Sequence, residues 1–219
     1  MKKVMIAAME SGCGKTIFTC GLIRTVMDLG YEVSSFKCGP DYIDPMYLKA
    51  AAGRPCRNLD VFLQKEAGVK KTFEKSEGFA VVEAAMGYYD GLGGSDEASA
   101  YHVARLLDIP VILLVRPGKN SVTLAAQIKG LLSFREDNGI RAVVLTGCRR
   151  ERYESLKPVI EDECGIKVAG YLSRMEEAVL PSRHLGLVTA DEMNELEQRF
   201  EVIKKAMEEN VDVHYICSL

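Results

Sequence analysis

The sequence contains no apolar run approaching the roughly 18 residues that a membrane-spanning helix needs. Its N-terminus offers only Val4 to Met9 between Lys3 and Glu10, too short for a secretory h-region. Neither an exported nor a membrane-spanning protein is expected. No Cys-x-x-Cys pair occurs, and the 7 cysteines, at 13, 20, 38, 56, 148, 164 and 217, are odd in number and stand singly. That pattern argues against a disulfide framework and for a reducing, cytoplasmic location. Nor is there an excess of one charge: 28 basic against 31 acidic residues leave −3, which gives no electrostatic reason to expect nucleic acid or a membrane surface as partner. No internal repeat, low-complexity tract or Pro/Gly/Ser linker divides the 219 residues, so 1–219 reads as a single domain. What is present is 47% hydrophobic and 27% charged, the composition of a globular chain able to bury a core.

Short runs suited to strands recur at Val4–Met9, Val33–Phe36, Phe79–Val82, Val111–Val115, Ala142–Leu145 and Val168–Ala169. Continuous rather than alternating runs are typical of strands covered on both faces. Helical periodicity fills Thr16–Leu29, Glu97–Leu107, Ser121–Phe134, Tyr153–Glu163 and Asp191–Met207. This alternation predicts an α/β fold, a mostly parallel central sheet with helices on both faces, whose ligands bind beyond the carboxyl ends of the strands. In the last helix Met193, Leu196, Phe200, Ile203 and Met207 form one apolar stripe, which reads as core packing. The tail at 210–219 alternates through Val211, Val213, Tyr215 and Cys217, and predicts an edge strand or a connection to a further domain.

Directly after the first strand comes Glu10-Ser11-Gly12-Cys13-Gly14-Lys15-Thr16, leading into a helix. Such a loop presents backbone N–H groups to phosphates at the positive end of the helix. Ser11, Gly12, Cys13, Gly14, Lys15, Thr16 and Ile17 are therefore the candidate nucleotide-binding residues. Lys15 is suited to the β- and γ-phosphates of ATP and the Thr16 hydroxyl to Mg2+. Met9 stands where the full pattern has its first glycine, and Ile17 breaks the dinucleotide fingerprint at its third.

Two further segments fall where strands end. Phe36-Lys37-Cys38-Gly39-Pro40-Asp41-Tyr42-Ile43-Asp44-Pro45 carries two carboxylates and a lysine, and Val82-Glu83-Ala84-Ala85-Met86-Gly87-Tyr88-Tyr89-Asp90-Gly91 places an acid directly at a strand end. Carboxylates there hold Mg2+ against substrate phosphates or orient the attacking group. Asp41 and Glu83, with Thr16, are the candidate metal ligands, and Lys15, Asp41, Glu83 and Asp90 the candidate catalytic residues. Turn capping is the simpler role for Asp41 and Asp44 beside their prolines.

Taken together, the loop at 11–16, F-K-C-G-P-D-Y-I-D-P at 36–45, G-R-P-C-R-N-L-D at 53–60, E-A-A-M-G-Y-Y-D-G at 83–91 and L-P-S-R-H-L-G-L at 180–187 resemble the ATP-binding amidoligase domain of the cobyrinic acid a,c-diamide synthase family, within the dethiobiotin-synthetase-like P-loop group. The resemblance implies a three-layer P-loop NTPase fold and amidation of the a and c acetate carboxylates of a corrinoid, each activated as an acyl phosphate. It implies that Tyr42, Ile43, Asp44 and Asp90 lie at the substrate end. Arg54, Arg57, Arg183 and His184 suit the carboxylates of the macrocycle, because guanidinium forks hold carboxylates bidentately. The resemblance implies a glutaminase domain, for which nothing after Leu187 has room, so a separate glutaminase, free ammonia or a truncated product is expected. Another tetrapyrrole such as nickel sirohydrochlorin, or a non-catalytic regulatory nucleotide-binding module, is the alternative. Ala84, Arg116 and Thr146 replace the family's usual glycine, aspartate and adenine-reading asparagine. A homodimer is the base-rate expectation for assembly.

Overall fold

The computed structural model describes residues 2–175 and 190–219, the side chains of 190–194 excepted. Seven strands are described: β1 (Lys3–Ala8), β2 (Val33–Cys38), β3 (Arg57–Leu59), β4 (Phe79–Glu83), β5 (Val111–Val115), β6 (Ile140–Thr146) and β7 (Lys167–Leu172). They form one sheet in the order β3-β2-β4-β1-β5-β6-β7, and every neighbouring pair is parallel. The connecting helices are α1 (Lys15–Asp28), α2 (Asp44–Ala52), α3 (Val61–Phe73), α4 (Ala100–Leu106), α5 (Val122–Phe134), α6 (Arg150–Cys164), α7 (Ala190–Asn210) and α8 (Val213–Ser218).

The apolar runs behave as doubly covered strands must. In β1, Val4, Ile6 and Ala8 enter one core with α1, α2, α7 and α8, while Met5 and Ala7 enter the other with α3, α4, α5 and α6. Successive side chains alternate across a strand, so only an uninterrupted apolar run satisfies both layers. Local signals then set the helix ends. Pro45 opens α2, Asp60 accepts the Leu63 N–H at 3.0 Å to cap α3, and Ser99 accepts the His102 N–H to cap α4.

The expected helices are all present as α1, α4, α5, α6 and α7, with ends displaced by at most three residues. The stripe on α7 packs as core: Leu196, Phe200, Ile203 and Met207 are buried against the α1 layer, and Met193 falls among the undescribed side chains. Three elements carry no clear sequence signal. β3 has only Arg57, Asn58 and Leu59, α3 buries only Val61, Val69 and Phe73, and α2 grows out of a turn that reads as loop.

The edge strand expected in the tail is a correction. Val211 makes a single antiparallel bridge to Gly170, but the chain then turns into α8 and no edge strand forms. Asp212 caps that helix by accepting the Tyr215 N–H at 3.0 Å, and Val213, Ile216 and Cys217 supply a buried face at helical spacing. A period-two pattern over so few residues also satisfies one helical turn, and the cap decides between them.

Candidate functional site

The sheet order leaves β1 between β4 and β5, so the loop after β1 opens between the ends of its two neighbours. Gly12 (φ 80°) and Gly14 (φ 85°) both adopt left-handed backbone, which turns the loop into the first turn of α1. Only glycine enters that region without strain. A cavity of about 610 Å³ lies above this loop, lined on one wall by Ser11, Gly12, Gly14, Lys15, Thr16 and Ile17. Its other wall is formed by Lys37, Asp41, Asp44, Glu83, Met86 and Arg116, from loops, strand ends and the start of α2 at the carboxyl edge of the sheet. A smaller cavity of about 400 Å³ adjoins it, bordered by Cys13, Thr146, Gly147, Ser173 and Arg174. A cleft of about 1040 Å³ sits at the opposite edge, beside Lys3, Pro110, Gly139 and Lys167, where strands begin. Ligands in such sheets bind beyond the carboxyl ends, so the two cavities above the loop are the relevant ones despite their smaller size.

The chemistry of the main cavity centres on Lys37 and Glu83. Strand register places them side by side on β2 and β4, and both are buried. Lys37 Nζ donates to Glu83 Oε1 at 2.9 Å and to the Ala84 carbonyl at 3.1 Å, and pairs with Asp44 Oδ2 at 2.7 Å. Glu83 Oε1 also accepts the Thr16 hydroxyl at 2.9 Å, while Glu83 Oε2 is buried without a hydrogen-bond partner. Burial pushes the Glu83 carboxyl up to about 7 against the opposing pull of Lys37. Burial works against the Lys37 ammonium as well, but Glu83 and Asp44 outweigh it and hold the group well above its ordinary range. Asp44 is pushed up by burial and pulled further down by Lys37, so it ends below the usual carboxylate range.

Lys15 is nearly buried, and burial followed by repulsion from Lys37 lowers its pKa. Its Nζ donates to the Met86 carbonyl at 2.7 Å and to the Glu10 carbonyl at 3.4 Å, so the ammonium is held by backbone oxygens rather than by a carboxylate. Asp41 Oδ1 accepts the Ile43 and Asp44 N–H groups at 2.8 and 3.2 Å, which organises the entry to α2. Capping and cavity lining thus coincide in Asp41.

The donor set suits a hard divalent cation: a hydroxyl, carboxylate oxygens, and one of those oxygens buried and unpartnered. Among the described residues no group of three or more His, Cys, Asp or Glu side chains forms a closed cage. A cation here would therefore complete its shell with phosphate oxygens and water, the usual mode of Mg2+.

Other expected residues separate clearly. Ile43, 47% exposed, and exposed Met86 line the cavity, and Tyr42, 84% exposed, stands next to Ile43 just outside it. Asp90 does not line the cavity; its Oδ2 accepts the Gly87 N–H at 3.0 Å and holds the turn after β4. Arg54 is misplaced by the sequence reading: it pairs with Glu77 at 3.1 Å and Glu32 at 3.3 Å, two residues that precede strands at the far edge of the sheet. It lies beyond α2, which carries the chain from the nucleotide end back to that edge. Arg57 begins β3, opposite Phe36, and does not line the cavity. Arg183 and His184 lie outside the described residues. The contribution of Tyr47 to the cavity has no motif to announce it, Ala85 and Met86 fall within the 83–91 motif but carry no chemistry that singles them out, and Arg116 is marked in the sequence only by standing where the family usually has an aspartate.

A parallel α/β sheet with a glycine-rich loop running into a helix beside its central strand defines a P-loop nucleotide-binding protein. The chain matches the family of CobQ/CobB/MinD/ParA nucleotide binding domains over residues 4–188, and it belongs to that family. It is 38% identical over 220 residues to the cobyrinate a,c-diamide synthase of Clostridium tetani, a match covering 100% of this chain and 50% of that protein. It is 40% identical over 216 residues to the protein of the same name from Clostridium acetobutylicum, covering 97% and 49%. The chain thus spans about half the length of the curated relatives it matches. Among solved structures, the MinD cell division protein of Aquifex aeolicus shares the fold with a TM-score of 0.55 at 11% identity, covering 96% of this chain and 98% of that one. No helix among the described residues is long and apolar enough to cross a membrane.

Proposed function

We propose that the chain is the carboxylate-activating part of a cobyrinate a,c-diamide synthase, an amidoligase that uses ATP and Mg2+ to convert the a and c acetate carboxylates of cobyrinic acid to amides. The observation that carries this reading is Glu83: fully buried, bonded to the Thr16 hydroxyl at the P-loop, with one oxygen left unpartnered. Its setting is a chain 38% identical along its full length to a protein of that name.

Gly12 and Gly14 shape the loop that offers N–H groups to the phosphates, and Lys15 turns from the Met86 carbonyl to the β- and γ-phosphates. Thr16, Glu83 and Asp41 are the residues that would hold the metal ion, which when bound neutralises charge on the transferring group. A substrate carboxylate oxygen bonds to the γ-phosphorus as the bond to ADP breaks. Ammonia nitrogen then bonds to the acyl carbon, loses a proton, and inorganic phosphate leaves. The protein contributes position and charge rather than a nucleophile of its own, which fits a cavity whose polar groups are cations and carboxylates. Tyr42 and Ile43, with Met86, give the cavity mouth an apolar surface suited to the flat face of a tetrapyrrole. The nitrogen enters as ammonia.

The test is phosphate release from ATP with Mg2+ and ammonium, with and without cobyrinic acid, while the corrinoid's mass is followed for each amide gained. Corrinoid-dependent release is expected, and Lys15→Ala should lower it by about 10²–10³-fold, the typical cost of removing one preorganised charge-stabilising donor. ATP binding without phosphate release on any tetrapyrrole would overturn the reading in favour of a binding module.

A further inference from the structure

We propose that Arg116 clamps the phosphate chain of the bound nucleotide, an inference that rests on the reading of this cavity as an ATP site. Arg116 follows β5 immediately and is held there by both neighbours of that strand: Leu114 is in register with Ala8 of β1, and Val115 with Leu145 of β6. The residue after β5 is thereby set between the P-loop and the end of β6. Gly14, Ile17 and Arg116 are the residues that line both cavities, so Arg116 stands where they meet.

Its orientation has a packing cause. The side chain runs across Gly147, where a Cβ would come within 3.4 Å of Arg116 Nε, and Gly147 also has left-handed backbone at φ 61°. Pro117 follows, with its carbonyl accepting the Asn120 N–H at 3.1 Å, and so removes freedom on the other side. Arg116 is exposed to solvent, and its side chain makes no hydrogen bond or ion pair among the described residues. The carboxylates nearest in the cavity are already engaged: Asp44 and Glu83 by Lys37, and Asp41 by two backbone N–H groups. An exposed arginine without a counter-charge at the junction of a phosphate loop and a second cavity is free to take an anion bound there, and its planar fork fits phosphate oxygens bidentately. Lys15 and Thr16 serve the distal phosphates and the metal, which leaves the junction to the part of the chain leading to the nucleoside.

Calorimetric titration separates this role from the general one. Wild type, Arg116→Ala and Arg116→Lys are titrated with Mg-ATP and with inorganic tripolyphosphate, and Arg141→Ala in the cleft at the opposite edge serves as control. Arg116→Ala should weaken both probes by about 10- to 100-fold, the worth of a charge-assisted hydrogen bond, with Arg116→Lys intermediate and Arg141→Ala unchanged. Tripolyphosphate affinity equal in wild type and Arg116→Ala would overturn the clamp, including the case where only ATP weakens, since the contact would then be to the nucleoside. Wild type that binds neither probe would overturn the ATP-site reading itself.

Discussion

Lys37 is the side chain with most to lose at the residue scale. It is buried, and three oxygens on Glu83, Asp44 and the Ala84 backbone depend on its ammonium. Removing one member of a buried pair leaves an uncompensated charge, at a cost of about 3–5 kcal/mol. The pH dependence has a definite sign. Glu83 keeps a proton in the folded state up to about 7, whereas the unfolded chain sheds it near 4.5, so stability falls as pH rises across that window. Lys37→Met removes the attraction that holds Glu83 down, raises the folded pKa further and extends the window upward. Urea unfolding should therefore show a larger loss for Lys37→Met at pH 8 than at pH 5. Adding Glu83→Gln to the same chain should recover part of it. Equal losses at both pH values would mean that the pair is not ionised as described.

Between elements, the close approach of α1 and α7 rests on Gly21. A Cβ at that position would come 2.5 Å from Ile203 Cγ2 and 2.8 Å from Met207 Cγ. The Ile203 methyl is attached at its own β-carbon and has little freedom to move aside, so the helices must separate. Gly21→Ala gains about 1 kcal/mol of helix propensity but incurs overpacking of about 1–3 kcal/mol, and a net loss is expected. In the Ile203→Ala background, where only the Met207 Cγ contact remains, the same substitution should cost less, and a double-mutant cycle by urea unfolding measures that coupling. Had the stripe on α7 faced solvent or another subunit, the cycle would show no coupling.

Across the whole molecule, stability is graded from the centre of the sheet outward. β1, β4 and β5 are completely buried or nearly so and are covered on both faces, while β3 is a three-residue edge and α8 a six-residue helix at the end of the chain. Amide exchange should be slowest at Ile6, Val81 and Ile112 and fastest in the Asp41–Ile43 turn and α8. Uniform protection would show that the molecule opens only as one unit. The phosphate loop joins the most protected strand to α1, whereas Tyr42 and Ile43 project from a less constrained turn beside it.

The linear sequence by itself determined the strands of the sheet's centre, the phosphate loop and the long helices, because each is specified by neighbours in the chain. A strand covered on both faces must be an uninterrupted apolar run, and a left-handed loop must place glycines at 12 and 14. The acid ending β4 and the turn at Asp41 were visible for the same reason. Only the tertiary structure decided which of these residues meet. Lys37 and Glu83 are 46 residues apart and become partners through the register of β2 on β4. Arg54 belongs to an ion pair at the far edge because the course of α2 carries it there, and Arg116 gains its place through β5 lying between β1 and β6. Local propensity acts over a few residues, whereas register and strand order come from burying two apolar faces at once, a condition satisfied by the whole chain together.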